Sequence, residues 1–166
     1  MRRVIATWGV LCVLALLAQA IMRLTPKAIE PWLDGSLTTL HQALYVIAIA
    51  FMGYSEGYRG FQLRFSPRVV ARAFYLGENP TPVRVVLALP FCMSLFHSTK
   101  RQMTISYALI VMIVLLVWGV RHLAQPWRGM IDAGVVVGLA WGSLAIVWFY
   151  FQALRGRPPP MTDLPT

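Results

Sequence analysis

The chain has 166 residues, enough for one domain, and carries a net charge of +9. Hydrophobic residues make up 58% and charged residues only 13%, against about 25% charged in an ordinary soluble domain. A soluble fold of this size cannot hide so much apolar surface, so lipid must be part of its solvent. The basic residues lie between apolar runs, where membrane orientation explains them better than nucleic-acid binding does.

A hydrocarbon core about 30 Å thick needs about 20 mostly apolar residues per helical span. Four segments qualify, at about 4–22, 37–54, 103–120 and 133–154. The first follows Arg2 and Arg3 and stops at Arg23. Its Ala18-Gln19-Ala20 also resembles a signal-peptide cleavage site. The apolar stretch is long for a signal core and continues through Ile21 and Met22, which favours a retained helix. The second span begins after Asp34-Gly35-Ser36 and carries His41, with Gln42 beside it and Tyr45 a turn on. Polar groups inside lipid face the bundle, so His41 is expected to make an interhelical hydrogen bond. His122, just beyond the third span, sits at a similar depth. The two imidazoles raise the alternative of a b-type haem, although His122 adjoins Arg121 at the interface.

Residues 55–102 read as a cytoplasmic loop. It opens on a polar cluster, with Tyr54, Glu56, Tyr58, Arg59 and Arg64 close together. Glu56 is expected to be ionised and paired with Arg59 or Arg64, either holding a lipid headgroup or transferring a proton, or simply fixing the helix end while Gly57 and Gly60 allow a bend. Ser66-Pro67 and Gly77 then bracket an amphipathic interfacial helix, with Arg68, Arg72 and Tyr75 on one side toward phosphates. Thr81-Pro82 starts a further apolar run from 83 to 97, broken by Pro90. At about 1.5 Å per residue it is roughly 22 Å long, short for a span and suited to a re-entrant helix. His97 at its end can join a headgroup site.

The third span closes at Arg121. Before the fourth, Gln125-Pro126-Trp127 and Asp132 echo the earlier Glu30-Pro31-Trp32 and Asp34, with Trp at headgroup level and Asp placed to cap a helix. The fourth span contains Gly134, Gly138 and Gly142, one turn apart, with Ala145 close by. Such a stripe lets two helices approach closely in lipid. It seats either a helix of the same chain or a partner subunit or second copy. Trp141, Trp148, Phe149, Tyr150 and Phe151 should face lipid or the interface. Residues 158–166 form a short polar tail expected to be disordered. Cys12 and Cys92 read as small buried hydrophobes, and no phosphate-binding loop, metal spacing or nucleophile elbow is present.

The expectation is an all-α membrane protein, a single domain over 1–157, with four spans and interfacial and re-entrant helices in the loop. Arg2, Arg3, Arg59, Arg64, Arg68, Arg72, Arg84, Lys100, Arg101, Arg155 and Arg157 would lie on one side, and Arg23, Lys27, Arg121 and Arg128 on the other. The positive-inside rule then puts both termini in the cytoplasm, and the dominance of Arg over Lys, with only Lys27 and Lys100 present, points to a bacterial inner membrane. An accessory, assembly or scaffold protein without enzymatic activity suits this profile, its basic face engaging anionic lipid or a partner complex. The alternatives are a lipid-handling enzyme or transporter built on Glu56, Tyr58 and Arg59, and a haem-binding subunit using His41 and His122.

Overall fold

A computed structural model describes residues 1–35 and 37–160, and the regular structure among them is entirely helical. The end of the polar tail, residues 161–166, lies outside the described residues, as does Ser36. Helix α1, Arg2–Leu33, runs well past residue 22 and contains Pro26 and Pro31. Packing sustains its C-terminal end: Pro31 is buried against Gly129, where an added Cβ would come within 2.8 Å of the proline ring.

Helix α2, Thr39–Met52, starts at a capping box. The Thr38 hydroxyl accepts from the His41 backbone N–H, and the His41 side chain reaches back to the Thr38 N–H. The helix does not end near Tyr54. It continues as a π-helical segment, Gly53–Phe65, and then as α3, Ser66–Glu78. The segment expected as the start of a loop is therefore one uninterrupted helix from 39 to 78, called here the middle helix. Gly57, Gly60 and Pro67 look like breakers, yet each fits. Hydrogen bonds in the π segment run from residue i to i−5, as from the Ser66 N–H to the Phe61 carbonyl. Pro67, which has no N–H, sits where the register returns to α.

The middle helix runs antiparallel to α1. Tyr45 donates to the Ala28 carbonyl at 3.3 Å at one end, and Gly77 lies against the Arg2 carbonyl at the other. Its second neighbour is α7, Trp127–Leu154, which runs parallel to it. Met52 packs on Gly134, the Ser66 hydroxyl donates to the Gly142 carbonyl at 3.3 Å, and the Phe74 ring lies 6.1 Å from that of Tyr150. Thr7 and Tyr150 share a 2.6 Å hydrogen bond that closes the triangle between α1 and α7. The core fills one half of this three-helix unit, with Val10, Val13 and Leu17 against Val69, Val70, Ala73, Leu76 and Ile146. The apolar side of α3 thus meets protein rather than an acyl boundary.

Beyond α3 the apolar run breaks into two single turns, α4, Pro82–Val86, and α5, Ala88–Cys92. Ser94 and His97 follow in the left-handed region, with φ of 61° and 49°. Arg72 holds this irregular backbone in place. It is fully buried, and its guanidinium donates to the carbonyls of Phe91 at 2.6 Å, Phe96 at 2.9 Å and His97 at 3.1 Å. The same group lies 4.3 Å over the Phe91 ring. Arg72 therefore does not extend toward phosphates.

Helix α6, Lys100–Val120, makes few close contacts with the rest of the fold and is exposed along most of its length. Tyr107 ties its base to the Leu95 carbonyl at 3.0 Å. α1, α6 and α7 are long and apolar enough to cross a membrane, which marks a membrane-associated multi-pass protein.

Candidate functional site

The glycine stripe of α7 is occupied from within the chain. A Cβ on Gly134 would collide with Met52, and one on Gly142 with the Phe61 ring. On Gly138 it would stand 3.3 Å from the Glu56 Cβ and 3.5 Å from its Oε2. The approach is reciprocal at Gly57, where a Cβ would lie 3.0 Å from that of Trp141. Trp141 also donates its indole N–H to Gln62 at 2.7 Å. This seam is where the middle helix carries its most polar stretch, opposite the apolar interior of α7.

The polar cluster expected around Glu56 is split between two faces. Glu56 is half-buried and turned toward Gly138. Among the described residues it has no ion pair, and Arg59 and Arg64 have none either. The expected Glu56–Arg59 or Glu56–Arg64 pair does not form: Glu56 is turned into the seam against Gly138, while Arg59 and Arg64 lie on the exposed side of the same helix. The π-helical repeat assembles a different set. Within Gly53–Phe65 the exposed residues are Tyr54, Tyr58, Arg59, Leu63 and Arg64, a single outward stripe. The Tyr54 and Tyr58 rings stack with centroids 5.9 Å apart. Beside them Ile49, Ala50, Gly53, Val137 and Trp141 line a shallow apolar groove between the middle helix and α7.

The remaining candidates are scattered. Arg68 turns back to donate to the Arg64 carbonyl at 3.0 Å. His97 is exposed, and its contribution to the Arg72 clamp is its carbonyl rather than its ring. His41 lies in the first turn of α2 rather than deep in a span. Its Nδ1 is 3.0 Å from the Thr38 hydroxyl, and its ring packs edge-on against Trp127 at 5.6 Å. The Nδ1 of His122 is 2.7 Å from the Trp118 carbonyl. His41 and His122 thus each have one ring nitrogen engaged at their own helix ends. Tyr45 is buried and spends its hydroxyl on Ala28.

A polar lattice where the C-terminal end of α1 meets the N-terminal end of α7 has no counterpart in the expectations. Glu30 accepts from Lys27 at 3.3 Å and from the Gln125 side chain at 3.0 Å, while the Gln125 Oε1 receives the Gly129 N–H at 3.0 Å. Asp132 is buried in the second turn of α7, 3.7 Å from Arg128, so it does not cap the helix as its position suggests. The spacings of Lys27 and Glu30, three residues apart, and of Arg128 and Asp132, four apart, are the sequence signals for this lattice. Compared with family models, curated proteins and solved structures, the chain matches none.

Proposed function

We propose that the chain crosses a bacterial inner membrane four times, through α1, the middle helix, α6 and α7, with both termini cytoplasmic. It serves there as a non-enzymatic accessory or assembly subunit whose basic inner end engages anionic lipid. The observation that carries this reading is the convergence of basic chain segments on one end of the bundle. Gly77 abuts the Arg2 carbonyl and Thr7 bonds Tyr150, so Arg2 and Arg3 share an end with Arg155 and Arg157. Arg84 lies 5.9 Å from the Tyr75 ring in the same region, and Lys100 and Arg101 begin α6 there. The opposite end mixes Arg23, Lys27, Arg121 and Arg128 with Glu30, Asp34 and Asp132. Arg59, Arg64, Arg68 and Arg72 belong to the helical bundle in this reading and no longer count toward orientation. The bias is smaller than the sequence suggests but keeps its sign.

Segment 79–99 then folds back at the inner end without crossing, its irregular backbone held by Arg72 through the carbonyls of Phe91, Phe96 and His97. A retained α1 fits the same reading, since Val10, Val13 and Leu17 belong to the core. The headgroup-enzyme alternative is weaker, because Glu56 and Arg59 face apart.

Reconstitution in mixed vesicles followed by mild-detergent extraction tests the lipid claim. Wild-type protein should retain phosphatidylglycerol over phosphatidylcholine, and replacing Arg84, Lys100, Arg101, Arg155 and Arg157 with Gln should abolish the enrichment. Enrichment unchanged by those substitutions, with the fold intact, would refute it.

A further inference from the structure

We infer that the outward stripe of the π segment, Tyr54, Tyr58, Arg59, Leu63 and Arg64, is an intramembrane docking surface for a partner transmembrane helix that carries a carboxylate near its middle. The inference rests on the proposed reading that the middle helix crosses the bilayer. Contacts with α7 set the depth of the stripe. Arg59 and Arg64 lie between Glu56, which faces Gly138, and Ser66, which bonds the Gly142 carbonyl. The apolar run of α7 starts at residue 133 and its helix ends at Leu154. At about 1.5 Å per residue, Gly138 and Gly142 lie roughly 8 and 14 Å inside the nearer end of that run. Two exposed guanidinium groups therefore sit at the depth of the hydrocarbon core, where snorkelling serves only residues near helix ends.

Charge complementarity selects the occupant. Neither arginine has an ion pair among the described residues, so the compensating anion is none of the described acids. A second copy supplies none at this depth. Of the described acids, Glu30, Asp34 and Asp132 lie at one end of the bundle, Glu78 lies at the other, and Glu56 is turned into the seam. Copies docked on this face would set arginine against arginine. Headgroup phosphates lie at the bilayer surface, away from Arg64. A helix with a carboxylate in its central turns reaches both cations, and Tyr54, Tyr58 and Leu63 give it an aromatic and aliphatic seat beside the groove next to α7. The π register makes the surface, since its repeat of four to five residues keeps 54, 58, 59, 63 and 64 on one side.

The test uses the full chain in phosphatidylcholine vesicles with fluorescent leucine-rich transmembrane peptides that carry one central Glu, Gln or Leu. Energy transfer should show the Glu peptide associating about tenfold more tightly than the other two. The preference should disappear in Arg59→Leu/Arg64→Leu, which alters only exposed side chains and should keep the thermal transition. Equal association of all three peptides would overturn the inference. So would a preference that survives the double variant, a preference lost when phosphatidylglycerol is added (headgroups then hold the stripe), or a dimer that depends on Arg59 and Arg64. A nitroxide at Leu63→Cys, in a background lacking Cys12 and Cys92, separates the two levels. An aqueous depth defeats the spanning reading itself, whereas a buried depth without Glu preference defeats the docking surface alone.

Discussion

Arg72 shows how one residue can reverse its apparent role. In the sequence it is one of two arginines, with Arg68, on a short amphipathic stretch. In the fold it is 0% exposed and serves carbonyls 19 to 25 residues further along the chain. No periodicity announces such acceptors, because they arise from irregular backbone. Hydrogen bonds to a charged donor contribute about 1.5–3 kcal/mol each, so Arg72→Met should destabilise the protein by about 3 kcal/mol or more, read as a lowered Tm in mild detergent. Arg72→Lys should restore little of it, since a single ammonium lacks the planar fork that spans three carbonyls. The glycines divide just as sharply. Gly142→Ala drives a methyl into the Phe61 ring and should cost about 1–3 kcal/mol. Gly119→Ala, with open space around it, should leave Tm unchanged or slightly raised. Equal losses at the two sites would show that the seam is not packed as described.

At the scale of elements, α6 and α7 look alike in the sequence, as apolar runs of spanning length. Their environments differ. Ile146 of α7 is 0% exposed and Leu115 of α6 is 62% exposed. Ile146→Ala should therefore cost about 2–5 kcal/mol, and Leu115→Ala should stay within about 0.5 kcal/mol, both by thermal unfolding in detergent. The helical class, the three long apolar helices and the close-packing function of the glycine stripe were all legible, because length, apolarity and small-residue spacing are local signals. The continuity of the middle helix was not. Tyr54 to Gln62 is polar and contains two glycines, and Pro67 follows soon after, so local chemistry argues for a loop. Tertiary contact with α1 and α7 overrides that preference, and the π register accommodates the proline. The Glu56 pairing failed with the loop, since the continuous helix turns Glu56 toward Gly138 and leaves Arg59 and Arg64 exposed.

For the whole molecule, the basic residues serve two purposes. In the proposed reading, those at the inner end set orientation and meet anionic lipid, while Arg59 and Arg64 sit where an uncompensated arginine costs about 2.5–3.5 kcal/mol on insertion scales. Screening separates the two: raising salt should weaken phosphatidylglycerol retention at the exposed inner end and leave intramembrane association with a Glu-bearing peptide largely intact. Both purposes depend on the middle helix crossing the bilayer from residue 39 to residue 78. A nitroxide depth scan at Leu40, Val46, Phe51, Tyr58, Leu63 and Glu78, in a background without Cys12 and Cys92, tests that most directly. Depth should rise from Leu40, peak around Tyr58 and Leu63, and return to the aqueous value at Glu78. A profile that peaks near Val46 and is already aqueous at Tyr58 and Leu63 would contradict the account and restore the cytoplasmic loop.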